Sequence, residues 1–186
     1  MSNVMSLDLY LFNLLHDLSG RLWLLDWVGI FFAEYAPYFL LLVALVLGIR
    51  EKSQRKKIVY FSVLALSVLL SRGVFTEIIR YFYHHPRPYA ALGFEPLVNH
   101  DPSGSFPSGH ATFYFALAFG VFYFRRRAGS WFISVAALMG VARIYAGVHW
   151  PLDIVSGAVI GAASVFVVVF LLKPDLLIDL KHERGE

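Results

Sequence analysis

The chain has 186 residues, of which 58% are hydrophobic and 16% charged. Soluble domains average roughly 25% charged and about 45–50% apolar residues, so 29 charged side chains are too few to cover a water-facing surface of this size. A net charge of +3 excludes a nucleic-acid partner, and the lack of cysteine excludes disulfides, thiolate-held zinc and a thiol nucleophile; one membrane-integrated domain over 1–186 remains.

In chain order, the first element is 7–18. Leu7, Leu11, Leu14, Leu15 and Leu18 follow helical spacing, with Asp8, His16 and Asp17 elsewhere on the wheel. Its length is too short to cross a bilayer core about 30 Å thick, which predicts a helix lying in the interface. It lacks the basic flank of a cleaved signal peptide. Five longer apolar stretches follow, at 27–49, 58–82, 108–124, 131–147 and 151–172. Merging the first element with 23–32 gives a six-span alternative. The predicted fold is therefore an all-α, polytopic transmembrane bundle of five to six spans with an N-terminal interfacial helix. Trp23, Trp27, Trp131 and Trp150 fall near span ends, as an aromatic belt requires.

Segment 50–57 carries five positive residues and one negative, and Arg125-Arg126-Arg127 joins the third and fourth spans. Lys173, Lys181 and Arg184 follow the fifth span. With five spans, all three segments share one side, the cytoplasmic one by the positive-inside rule. The loop 83–107 and the turn 148–151 then lie outside.

Ionisable groups at membrane depth are costly and read as functional by default. Arg80, Arg87, His110, Arg143, His149 and Asp153 all fall at the outer ends of spans, or just beyond. Pro86 and Pro88 bias Arg87 toward extended backbone, where its planar fork suits phosphate or carboxylate; the alternative is a pair of arginines snorkelling to headgroups. Ser108 suits an N-cap, and Gly109 lets an anion approach the amides of a helix start beside His110; the alternative is a plain cap. Pro151 suits the first helical position, which puts Asp153 in the first turn and lets His149 turn one ring nitrogen to it and the other to a substrate. A structural Asp–His cap is the alternative there. Taken together, three arginines and a helix start describe a dianion site, and two histidines add a nucleophile and an acid.

Arg80-x6-Arg87-Pro88, then Pro107-Ser108-Gly109-His110, then Arg143-x5-His149-x3-Asp153 resembles the three-part signature of the type 2 phosphatidic acid phosphatase (PAP2) superfamily. Arg80 and Ala142 depart from that pattern, where Lys and Ser are usual. The resemblance implies a metal-independent lipid phosphatase without cofactors, acting through a phosphohistidine. His149 would be the nucleophile, Asp153 its orienting partner and His110 the acid and then the base. Arg80, Arg87, Ser108, Gly109 and Arg143 would hold phosphate.

The N-terminal stretch and the Phe106-Pro107-Ser108 approach are similar to bacterial undecaprenyl-diphosphate phosphatases of the bacitracin-resistance type, although Asp is frequent there in place of Gly109. This similarity implies a bacterial cytoplasmic membrane, a site on the extracytoplasmic face and a polyprenyl diphosphate substrate. Phosphatidylglycerophosphate and other lipid phosphates are alternatives. Rivals from other classes are a lipid transporter or scramblase that only binds headgroups, and a zinc site at His84, His85, His100 and Asp101. Gly157-x3-Gly161 reads as a close packing face, within the molecule or between two copies forming a homodimer. Glu77 is expected to pair with Arg72 or Arg80.

Overall fold

The structure is a computed structural model that describes residues 2–99 and 104–172. The expectations for Lys173, Lys181, Arg184, His100 and Asp101 lie outside the described residues. The described chain is helical: α1 (Ser2–His16), α2 (Trp23–Ile49), α3 (Gln54–Phe82), the short α4 (Pro88–Leu92), α5 (Gly109–Phe124), α6 (Arg126–Tyr145) and α7 (Pro151–Leu171). Four of these, α2, α3, α6 and α7, are long and apolar enough to cross a membrane by length and composition.

α5 is shorter, with 16 residues. It stands inside the bundle, packed most closely against α6 and α7 and also touching α3. Ala111, Phe115, Ala116, Leu117, Ala118 and Val121 on it are buried. A helix enclosed by its neighbours is apolar on all sides, and small residues let those neighbours approach. Gly157 and Gly161 serve this contact: a Cβ on Gly157 would stand 2.6 Å from the Ala111 Cβ, and one on Gly161 2.7 Å from the Ala116 amide nitrogen. Of the two uses expected for this glycine pair, the structure displays the one within the molecule.

The outward faces are apolar, with Leu69, Val159, Phe166 and Phe170 all exposed. An apolar exterior on this scale is what lipid covers. Two helices change pitch through π turns, α2 at Phe31–Tyr35 and α3 at Leu69–Phe75.

Two expectations are corrected by packing. α1 does more than lie in an interface: Phe12 is fully buried, its ring 5.1 Å from Trp150, and Asp8 accepts the Leu152 amide (2.9 Å). Trp150 is no belt residue. It is buried, and its indole N–H donates to the Pro86 carbonyl (2.9 Å), because the 83–99 segment folds back over this end of the bundle. Trp23, Trp27 and Trp131 are exposed, as a belt requires.

Candidate active site

Two helix starts meet at one end of the bundle. Ser108 caps α5, its Oγ accepting the Ala111 amide (3.4 Å), and its own amide donates to the Asp153 carbonyl (3.1 Å) in the first turn of α7. Pro151 opens α7 with its ring at a position that needs no N–H, and the Trp150 amide donates to Asp153 Oδ2 (2.8 Å). The carboxylate is thus fixed by backbone before any other side chain reaches it.

Asp153 is 0% exposed and His149 is 1% exposed. His149 Nδ1 is 3.2 Å from Asp153 Oδ2, and the Ser105 hydroxyl donates to that same oxygen. On the other side of the ring, His149 Nε2 is 3.1 Å from Arg87 Nη1. A guanidinium only donates, so Nε2 is the acceptor and the ring proton of the neutral imidazole sits on Nδ1, toward the carboxylate. The lone pair of Nε2 therefore faces the arginine, where an anion would bind.

Arg87, 1% exposed, is placed by the segment between α3 and α4: it has the extended backbone expected before Pro88 and donates to the Val148 carbonyl (2.9 Å). Arg143, 2% exposed, donates to the Ala33 carbonyl (3.0 Å) in the π turn of α2. Its Nε has no hydrogen-bond partner among the described residues, which leaves donor capacity inside a closed interior. Arg80 comes from the end of α3 and donates to the Pro107 carbonyl (3.1 Å), just before the α5 cap. Gly109 and His110 start α5, where helix geometry directs amides out along the axis. His110 is on the exposed side of this turn, its ring stacked on Tyr114 with centroids 6.4 Å apart.

The structure thus brings His149, Asp153 and Arg87 into direct contact and ties Ser108 to Asp153 through backbone. Of three further polar residues at this end, Ser105 was not singled out from sequence, His85 was named only in the rival zinc site and Asp8 only as a polar position of the first helix. Ser105 reaches Asp153 because its amide is held by the His85 carbonyl (2.8 Å), a loop contact with no helical period to announce it. His85 Nδ1 lies 3.9 Å from Asp153 Oδ1. Asp8 was legible only as one of the polar positions of 7–18, with His16 and Asp17; its target, the second residue of α7, was not. Glu77 pairs with Arg72, one of the two partners expected for it.

Fold and site together define a polytopic helical membrane protein with a closed arginine–histidine–aspartate centre at one end of its bundle. The chain belongs to the PAP2 superfamily, whose family model matches residues 58–175. It is 32% identical over 171 residues to the bacitracin transport permease protein BcrC of Bacillus licheniformis, covering 91% of this chain and 82% of that protein. It is 31% identical over 169 residues to the undecaprenyl-diphosphatase BcrC of Bacillus subtilis (strain 168), covering 90% and 84%. The crystal structure of Aquifex aeolicus LpxE superposes with a TM-score of 0.70 at 30% identity, over 87% of this chain and 94% of that one. The chain is accordingly a multi-pass membrane phosphatase of the PAP2 type, a hydrolase acting on lipid phosphates.

Proposed function

We propose that this phosphatase removes the terminal phosphate of a lipid diphosphate at the extracytoplasmic face of the bacterial cytoplasmic membrane, with undecaprenyl diphosphate giving undecaprenyl phosphate as the best-fitting reaction. The observation that carries the reading is the orientation of His149, with Nδ1 toward Asp153 and Nε2 toward Arg87. The Nε2 lone pair attacks phosphorus, and the P–O bond to the leaving group breaks, its electron pair going to that oxygen. His110 gives this oxygen a proton. Neutral again, His110 takes a proton from water, which attacks the phosphohistidine. The P–N bond then breaks, its pair returns to Nε2 and inorganic phosphate departs.

Arg80, Arg87 and Arg143, with Ser108 and the Gly109 amide, hold the oxygens and offset the charge of transfer. Three guanidiniums supply the positive field that a metal ion gives in kinases, so the reaction needs no metal. Asp153 keeps the proton on Nδ1 and stabilises the ring as it becomes positive. The choice of substrate is supported by the relative named undecaprenyl-diphosphatase; phosphatidylglycerophosphate or another lipid phosphate is the alternative. Orientation is supported by the basic segments: Arg125, next to 126–127, pairs with Glu51 of the α2–α3 loop (3.1 Å), so both segments share the end remote from the site.

A second reading, lipid transport without hydrolysis, draws on the name of the Bacillus licheniformis relative. It has no use for a histidine held by a carboxylate. Phosphate release from a prenyl diphosphate, phosphatidylglycerophosphate, phosphatidate and lipid A, with His149→Ala alongside, separates these readings. The hydrolytic one expects release by wild type, with the prenyl diphosphate ranked first, none by the variant, and rates unchanged by EDTA. Lipid handling that persists in the variant, with no hydrolysis by either protein, favours transport.

A further inference from the structure

Arg72 lies within α3, about 15 Å along the helix from Phe82. None of the three signature segments includes it. An ionisable side chain inside a span is a candidate for function, and the backbone beneath this one is also unusual. Residues Leu69–Phe75 form a π turn, a feature found frequently at functional sites.

Buried hydroxyls join this turn to α5. Thr76 Oγ1 donates to the Ser71 carbonyl (2.8 Å) and lies 3.1 Å from Thr112 Oγ1, while Ser71 Oγ donates to the Thr112 carbonyl (3.2 Å). The altered pitch sets the Arg72 side chain against the first turn of α5. A Cβ built on Gly109 would stand 2.7 Å from Arg72 Nε and 3.2 Å from its Cζ. The guanidinium therefore rests against the residue that opens the anion site.

The Arg72 side chain is 39% exposed and that of its partner Glu77 is 56% exposed. Leu69 and Ile78, exposed and apolar on the same helix, flank the pair. Arg72 thus sits on the outward flank of Gly109, between the lipid-facing surface of α3 and the start of α5. Arg87 and His149, by contrast, are fully buried.

We infer that Arg72 is a specificity-determining residue that binds the second phosphate of a lipid diphosphate, the one that stays on the lipid. This rests on the hydrolytic reading above. In the resting protein Glu77 occupies the guanidinium; the lipid-proximal phosphate, another two-oxygen acceptor, replaces it. His149 Nε2 then attacks the terminal phosphorus, and the bond to the bridging oxygen breaks. That oxygen leaves with the electron pair on the lipid monophosphate, whose growing charge Arg72 offsets. Glu77 recovers Arg72 as the product departs. A lipid monophosphate has no group for this subsite.

The test uses the purified full chain and compares kcat/KM for a prenyl diphosphate and the prenyl monophosphate of equal length. Arg72→Gln should lower the diphosphate value about tenfold and leave the monophosphate value within about twofold. Glu77→Gln removes the same ion pair but keeps the cation, so it should retain diphosphate activity. Equal losses on both substrates, or matching behaviour of the two variants, would mean a purely structural pair and overturn the inference. Thermal unfolding with pyrophosphate or inorganic phosphate reads the subsite without lipid. Wild type should be stabilised more by pyrophosphate and Arg72→Gln equally by both, whereas an unchanged preference in the variant overturns the inference. Wild type that binds pyrophosphate through Arg72 yet hydrolyses no lipid phosphate would instead overturn the hydrolytic reading alone.

Discussion

Asp153 Oδ2 faces three donors: the Trp150 amide, the Ser105 hydroxyl and His149 Nδ1. The backbone donor fixes where the carboxylate sits, and the histidine contact transmits that placement to the nucleophile. Ser105 touches neither Nε2 nor the arginines, so it is a positioning residue. A hydrogen bond to a charged group contributes about 1.5–3 kcal/mol, so Ser105→Ala should lower kcat at least about tenfold with KM little changed, and should lower Tm by a few degrees. Steady-state kinetics beside thermal unfolding checks this, and a loss confined to KM would place Ser105 on the substrate instead. The two histidines set a second expectation. His149 must be neutral to attack, and His110 must be protonated to release the leaving group, so activity should trace a bell against pH. Removing the acid by His110→Ala should abolish one limb of that bell and leave the other, as measured by kcat/KM over about pH 4–9.

At the scale of elements, the Asp8 carboxylate ties α1 to the site-bearing helix, beside the packing of Phe12 on Trp150. Burial raises the Asp8 carboxyl above the ordinary value of 3.8; the Leu152 amide opposes this shift, and nearby Asp153 adds to it. A carboxyl raised on folding favours the folded state when protonated. Its contribution is therefore complete below the ordinary value and is lost as pH rises through the raised one. Asp8→Asn keeps an acceptor for the Leu152 amide but cannot ionise, so it should flatten that acid-to-neutral fall in Tm. Asp8→Ala loses the cap at every pH, at about 1 kcal/mol. A pH series of melting curves distinguishes the two variants, and identical curves would detach Asp8 from the docking of α1. Sequence showed α1 as a helix but not its attachment, because the Asp8–Leu152 contact joins residues at opposite ends of the chain. The same limit hid Ser105 and the burial of Trp150, both placed by the folded-back 83–99 segment. By contrast, Ser108 as a cap and Pro151 as a helix start were legible, because capping and proline geometry are local. His149 and Asp153 were legible as a pair for the same reason, being four residues apart across one such start. The π turns were not, since Leu69–Phe75 is set by hydroxyls that reach Thr112 on another helix.

The whole molecule has two chemically different ends. At one, Arg125 reaches Glu51 and the Leu47 carbonyl, gathering the basic loops. At the other, Arg87 and Arg143 are drawn inward and almost fully enclosed. Charge on the first end is solvated and can set orientation; charge on the second is removed from water and can act on a bound anion. That division supports the proposed sides of the membrane, and the absence of cysteine makes them directly measurable. Lys52 and Glu95 are both exposed, Lys52 in the basic loop and Glu95 in the segment that covers the site. Introduced singly, Glu95→Cys should react with an impermeant maleimide in intact cells, and Lys52→Cys only after the membrane is opened. The reverse pattern would put the site in the cytoplasm. A lipid diphosphate would then have to present its head on the inner leaflet, and the basic loops would have failed to dictate topology. With the expected pattern, the substrate must arrive from the outer leaflet, where the exposed flank of α3 beside Arg72 meets lipid before the enclosed arginines do.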